Sequence, residues 1–235
     1  MPYFLLFELV LVAGFISIQL SLPADKRNPS QTFLLFALIL LGTGLVSELV
    51  LGFALDETAA KVFFWARGSL ALAWFGQSLL LALFPNDRRI RWLSMGILAA
   101  SLGLLVLVFL LHITAAVDWY SAVKPIYGQI GDLLATNRPA RWGAIAMNMY
   151  GLVALIAGSA YAFFSRPHKP DPMRFIATLL IVLGATILFV LLYLPPKVSD
   201  LSFYLCELFA PVALFIGIRE INFRYFEPLR RQTGQ

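Results

Sequence analysis

The sequence predicts an all-α polytopic membrane protein: a single bundle of seven transmembrane helices, with the N-terminus outside and the C-terminus in the cytoplasm. Three observations lead there. Hydrophobic residues make up 60% of 235, only 13% are charged, and the mean hydropathy is +0.82, far outside the range of water-soluble domains. Seven apolar stretches each reach the roughly 20 residues that a helix rising about 1.5 Å per residue needs to cross hydrocarbon. The basic residues alternate between the connections.

The spans fall near residues 3–22, 32–55, 62–84, 92–112, 141–165, 174–195 and 201–220. The first begins almost at Met1, lacks a basic leader and shows no small-residue cleavage site before Pro23, so it is expected to remain as a helix and not to be removed as a signal peptide. Turn chemistry closes the others. Pro23 to Pro29 follow the first span, Pro85-Asn86-Asp87 the third, Pro167 to Pro172 the fifth and Pro195-Pro196 the sixth, each a helix stop. Trp65, Trp92, Trp119 and Trp142 lie near span ends, where indole rings favour the headgroup level.

Orientation follows from counting Lys and Arg. Lys26, Arg27, Arg88, Arg89, Arg91, Arg166, Lys169, Arg174, Arg219, Arg224, Arg230 and Arg231 fall on one side. Lys61, Lys124, Arg138, Arg141 and Lys197 fall on the other, and Arg67 alone is intramembrane. Basic connections stay in the cytoplasm, which accounts for the net charge of +5 without any nucleic-acid partner. The longest connection, 113–140, carries Trp119, Tyr120, Val123, Ile126, Tyr127, Ile130, Leu133 and Leu134 at three- and four-residue spacing. It reads as an interfacial helix broken near Pro125, either an anchoring hairpin or a cap over a pocket. No internal repeat divides the spans into matching halves, so an inverted-repeat transporter is not supported. Ala154 and Gly158, four apart, permit close helix approach.

One feature points to chemistry. Counted from the outer surface, Glu8, Glu48, Arg67 and Glu207 lie about five to eight residues inside four different spans, roughly 10 Å deep. Asn148 enters at similar depth, Tyr204 sits one turn above Glu207, and His112 closes the fourth span at the outer interface. An ionisable group in hydrocarbon costs at least about 2.5 to 3.5 kcal/mol, so a shared level calls for a cause. Glu48 and Arg67, on neighbouring antiparallel spans, suit an ion pair. Three carboxylates against one guanidinium still leave a formal charge of minus two, which protonation, a cation, a cationic ligand or a water-filled cavity must offset.

Several classes are excluded. No span carries the lysine that a retinal Schiff base needs, and bis-histidine haem is ruled out because His168 lies in a connection. A zinc site would want several His, Cys or Asp ligands at short spacing, and the single Cys206 excludes disulfides. No cofactor, metal centre or catalytic residue is therefore assigned. Ser47, Ser69, Ser78 and Ser159 are expected to form interhelical hydrogen bonds.

The segments Gly44-Leu-Val-Ser-Glu48 and Lys61-Val-Phe-Phe-Trp65-Ala-Arg67 resemble the seven-span membrane region of some bacterial sensor histidine kinases. The chain also looks like a set of uncharacterised bacterial seven-span integral membrane proteins. The sensor resemblance implies an extracytoplasmic or intramembrane ligand site read out on the cytoplasmic side. No catalytic domain follows the last span here, so output would pass through a protein partner at the tail. The leading expectation is a sensor-like or accessory subunit in the bacterial plasma membrane, in contact with membrane lipid and taking a small-molecule or lipid ligand. Two alternatives stand beside it. One is an intramembrane enzyme that protonates a lipid or isoprenoid, in the manner of small seven-span terpene cyclases; the other is a structural subunit of a membrane complex.

Overall fold

A computed structural model describes residues 2–22, 28–53, 57–110, 138–165, 171–193 and 200–233. All regular structure among them is helical. The elements are α1 (Pro2–Leu20), α2 (Pro29–Phe53), α3 (Glu57–Trp65), a π-helical turn (Ala66–Leu70), α4 (Ala71–Leu83), α5 (Arg88–Leu110), α6 (Arg138–Phe164), α7 (Pro172–Tyr193) and α8 (Asp200–Thr233). Five of the helices, α1, α2, α5, α6 and α7, are long and apolar enough to cross a membrane. Of the expected segment 113–140, residues up to 137 lie outside the described residues, as does His112, while 138–140 already belong to α6, which starts three residues before the expected 141.

The helices start and stop close to the punctuation in the sequence. Asn28 caps α2 by accepting from the Gln31 backbone N–H at 2.8 Å, while Gln31 Oε1 accepts from the Asn28 N–H at 3.1 Å, a reciprocal capping box. Asp87 accepts from the Arg89 N–H at 2.7 Å and Asp171 from the Met173 N–H at 3.1 Å, capping α5 and α7. The largest departure is α8, expected to end near residue 220 and continuous to Thr233. The expectation stopped where the apolar run stops, but loss of hydrophobicity does not end a helix; only a cap or a backbone break does.

At the centre stands α4, in which every residue except Leu80 is buried. It packs between α2 and α6; α1 lies on α2, α7 on α6, and α8 on α7, returning to touch α4 and α1. α5 rests more lightly against α3, α4 and α6. The contacts between α4 and α6 are backbone-close because small residues meet there. A Cβ at Gly151 would run into the Leu72 carbonyl and the Ala73 N–H, and one at Gly76 would lie 2.9 Å from the Gly151 carbonyl. Ala154 and Gly158 face the same crossing, at Gly76 and Leu79 respectively. α7 and α8 use the device reciprocally. Gly184 faces the Ala210 carbonyl and Gly217 the Ala177 carbonyl, 2.8 Å from an added Cβ in each case.

The outer surface is apolar. Leu6, Phe7 and Val10 on α1, Leu98, Leu102 and Val106 on α5, Met149, Val153 and Ile156 on α6, and Phe175, Ile176 and Leu179 on α7 are all exposed, while Arg67, Gln77, Asn148 and Glu207 are buried. Contiguous apolar surface on this scale is foreign to a water-soluble monomer and suits hydrocarbon as solvent.

The α4–α6 crossing yields a prediction. Gly151→Val is expected to lower stability by about 1 to 3 kcal/mol through overpacking, measured by unfolding in detergent. Gly96→Ala, on an open face of α5 with nothing within 4 Å, should remain within about 0.5 kcal/mol.

Candidate functional site: a buried arginine shared by three glutamates

Arg67 is the largest side chain with almost no exposure, and its position follows from a local irregularity. Between α3 and α4 the helix widens into a π-turn, closed by the Ala71 N–H on the Ala66 carbonyl five residues back. Ser69 donates its hydroxyl to the Phe64 carbonyl at 2.7 Å, also five residues back. A widened turn redirects side chains and leaves a carbonyl open to an outside donor. That donor is Asn148 of α6, whose Nδ2 reaches the Gly68 carbonyl at 2.8 Å. On the other side α2 comes so near that a Cβ at Gly44 would overlap the Cβ of Arg67 and sit 3.2 Å from its Cγ. Gly44 thus makes room for the arginine, and Glu48, one turn on along the same face, meets it.

The guanidinium gathers three carboxylates. Nη1 donates to Glu48 Oε2 at 2.5 Å. Nη2 donates to Glu207 Oε1 at 2.5 Å and to Glu8 Oε1 and Oε2 at 3.2 and 3.4 Å. All four residues are at most 4% exposed. They come from α1, α2, the π-turn and α8, so one group ties together helices that are distant in sequence. Charge-assisted bonds of this kind are short and strong. Removing one partner of a buried ion pair strands the other and costs about 3 to 5 kcal/mol.

The remaining residues of the expected belt have other places. Asn148 supports the π-turn one residue from Arg67, and Tyr204 stacks on Phe4 at 5.7 Å with ring planes 10° apart. Phe4 and Tyr204 each precede their glutamate by one turn, on α1 and α8. The aromatic pair therefore covers the Glu8 and Glu207 side of the cluster at the N-terminal ends of both helices. The expected interhelical serines divide. Ser78 and Ser30 exchange bonds across α2 and α4, each hydroxyl donating to the other's carbonyl at 2.8 and 2.7 Å. Ser47 and Ser69 instead bond carbonyls of their own helices, the local alternative open to any helical hydroxyl.

A second polar network was not expected. Gln77, fully buried on α4, donates Nε2 to Ser94 Oγ at 2.6 Å and to the Ile90 carbonyl at 3.1 Å, and its Oε1 accepts the hydroxyl of Tyr150. One turn before Gln77, Trp74 donates to Ser101 Oγ at 3.1 Å, and from the end of α3 Trp65 donates to the Ser101 carbonyl at 3.0 Å. Trp65 therefore turns inward, whereas Trp92 and Trp142 are exposed as interface residues would be. These bonds fasten the lightly packed α5. The sequence signal was present: Trp65, Trp74 and Gln77 all recur along a single apolar helix, and each carries a donor that must be satisfied once buried.

The fold and site together define an all-helical chain with membrane-compatible helices around a buried Arg–Glu cluster. No family model, no curated protein and no solved structure matches it.

Arg67→Leu is expected to lower stability in detergent by about 3 to 5 kcal/mol. Adding Glu8→Gln and Glu207→Gln to that variant should recover part of the loss, because fewer carboxylates are then stranded. Losses that simply add would mean that the four groups do not act as one.

Proposed function

We propose that the protein is a multi-pass protein of the bacterial plasma membrane with seven spans. The N-terminus lies outside and the C-terminus inside, and the protein works as a sensor-like or accessory subunit. Its outer-half ion cluster controls the position of α8. The observation that carries this reading is the continuity of α8: the helix that presents Glu207 to Arg67 runs unbroken to Thr233. Thirty-four residues make a rod of about 51 Å, against a hydrocarbon core of about 30 Å. A rod of that length carries a displacement at Glu207 along the helix to the exposed Arg219, which suits an acidic partner. Pro211, one turn beyond Glu207, has no N–H to return to the Glu207 carbonyl, so that carbonyl lacks its helix bond while the helix itself continues.

A ligand acts in this scheme by exchanging partners with the cluster. A cationic group at the outer face competes with Arg67 for a carboxylate, and a carboxylate or phosphate competes for Arg67. Either releases Glu207 without unfolding the other ties.

Two measurements test the proposal. In a Cys206→Ser background, Tyr3→Cys should react with a membrane-impermeant thiol reagent only from the outside and Asp87→Cys only from the cytoplasmic side. In nanodiscs, Glu207→Gln should raise amide hydrogen exchange across residues 219–233 at least tenfold while insertion stays intact. Unchanged exchange in both Glu207→Gln and Glu8→Gln would remove the relay.

A further inference from the structure

The seam between α1 and α8 carries more than the ion cluster. The two helices run parallel and keep one register along their length: Phe4 stacks on Tyr204, Glu8 and Glu207 meet on Arg67, and Phe15 stacks on Phe215 at 4.2 Å with rings 15° apart. Following the same faces onward, Gln19 lies one turn past Phe15 and Asn222 two turns past Phe215. Both are 3% exposed. Gln19 Oε1 and both amide atoms of Asn222 find no hydrogen-bond partner among the described residues.

Buried amide atoms left in this condition are costly, and in native proteins they mark places where water or a ligand is held. The seam thus has three zones in series: carboxylates, a closely stacked aromatic pair, and amides able to donate to and accept from water. Intramembrane carboxylates are characteristic of proton routes, and apolar constrictions gate by excluding water.

We propose that the α1–α8 seam is a gated proton pathway, with Glu8 and Glu207 as the first station, the Phe15–Phe215 stack as the closed gate, and Gln19 and Asn222 as a water-holding second station. This goes beyond the relay and does not rest on it. A proton suits the cluster better than a metal ion does. Protonating Glu207 weakens only its single bond to Arg67 and leaves those to Glu8 and Glu48 in place, whereas a metal ion would have to displace the guanidinium from three carboxylates. In the passage itself, Glu207 takes up a proton from the side of Phe4 and Tyr204, becomes neutral and loosens from Arg67. When the aromatic pair parts, the proton passes to a water held by Gln19 and Asn222, and Glu207 returns to its ionised, Arg67-bonded state. No other bond changes. The charged groups facing Glu207 are Glu8 from α1, Glu48 from α2 and Arg67 from the π-turn. On the far side of the gate the Arg219 guanidinium lies 6.0 Å from the centre of the Phe215 ring, bracing it.

The test is proton flux into liposomes that hold the purified chain and an internal pH dye, under an imposed acid-outside gradient with valinomycin and potassium present. Phe15→Ala should raise the flux at least tenfold over wild type; Phe215→Leu, which keeps an apolar side chain but removes the stack, should do the same if Phe15→Ala folds poorly. Adding Glu207→Gln to the opened variant should return the flux to that of protein-free liposomes. Adding Asn222→Leu should do so as well while leaving the melting temperature unchanged or higher, since it deletes a buried amide that has no partner among the described residues. A protein-free rate in both opened variants would overturn the pathway, as would flux that survives Glu207→Gln. Sodium uptake matching the proton rate would overturn the assignment of the proton.

Discussion

A single guanidinium buried among four helices is the constraint on which the arrangement depends. Arg67 cannot sit in a hydrocarbon interior unless its charge is met, and it is met by Glu48, Glu207 and Glu8 from α2, α8 and α1. Those bonds set where three other helices lie relative to the third. They also account for the irregularities around them: the π-turn that carries Arg67, the glycine at position 44 that lets α2 approach, and Asn148, which supports the Gly68 carbonyl. Each departs from regular helix packing, and each is adjacent to the same charge.

Away from the cluster the bundle follows the logic of a protein whose solvent is apolar. Burial of apolar side chains gives helices in lipid little reason to associate, so close backbone approach and hydrogen bonds do more of the work. Gly151 and Gly76 bring α4 and α6 together, and Gly184 and Gly217 do the same for α7 and α8. Where packing is thin, as around α5, polar side chains substitute: Gln77, Trp74 and Trp65 reach across to Ser94, Ile90 and Ser101.

The two ends of α8 differ in character, and the difference bears on function. At one end Glu207 is held in a strong ionic tie; farther along, the Asn222 amide is buried with no hydrogen-bond partner among the described residues, and the helix continues to Thr233. A helix held firmly at one point and poorly satisfied at another, with Pro211 between, is suited to a change of position when the tie is altered. The relay and the proton pathway make different uses of this asymmetry, one mechanical and one electrostatic.

The helical class and the apolar stretches were legible in the sequence because hydrophobic run length is a one-dimensional property, and the capped starts at Asn28, Asp87 and Asp171 lie close to where turn residues placed them. The four charged members of the cluster were legible for a related reason: a charge inside an apolar run is conspicuous, and counting from the ends of the runs put all four at one level, where the structure brings them together. Azimuth was not legible. Tyr204 and Asn148 share the level of the cluster, yet one stacks on Phe4 and the other bonds to a backbone carbonyl, because the direction a side chain takes around the helix axis is decided by neighbouring helices. The π-turn, the inward turn of Trp65, the Gln77 network and the unpaired amide of Asn222 belong to that same category. The sequence by itself determined where the apolar helices lie and which of them carry charges; only the tertiary structure decided how far α8 continues and which groups meet, since contact between helices depends on rotation and crossing that no linear pattern encodes.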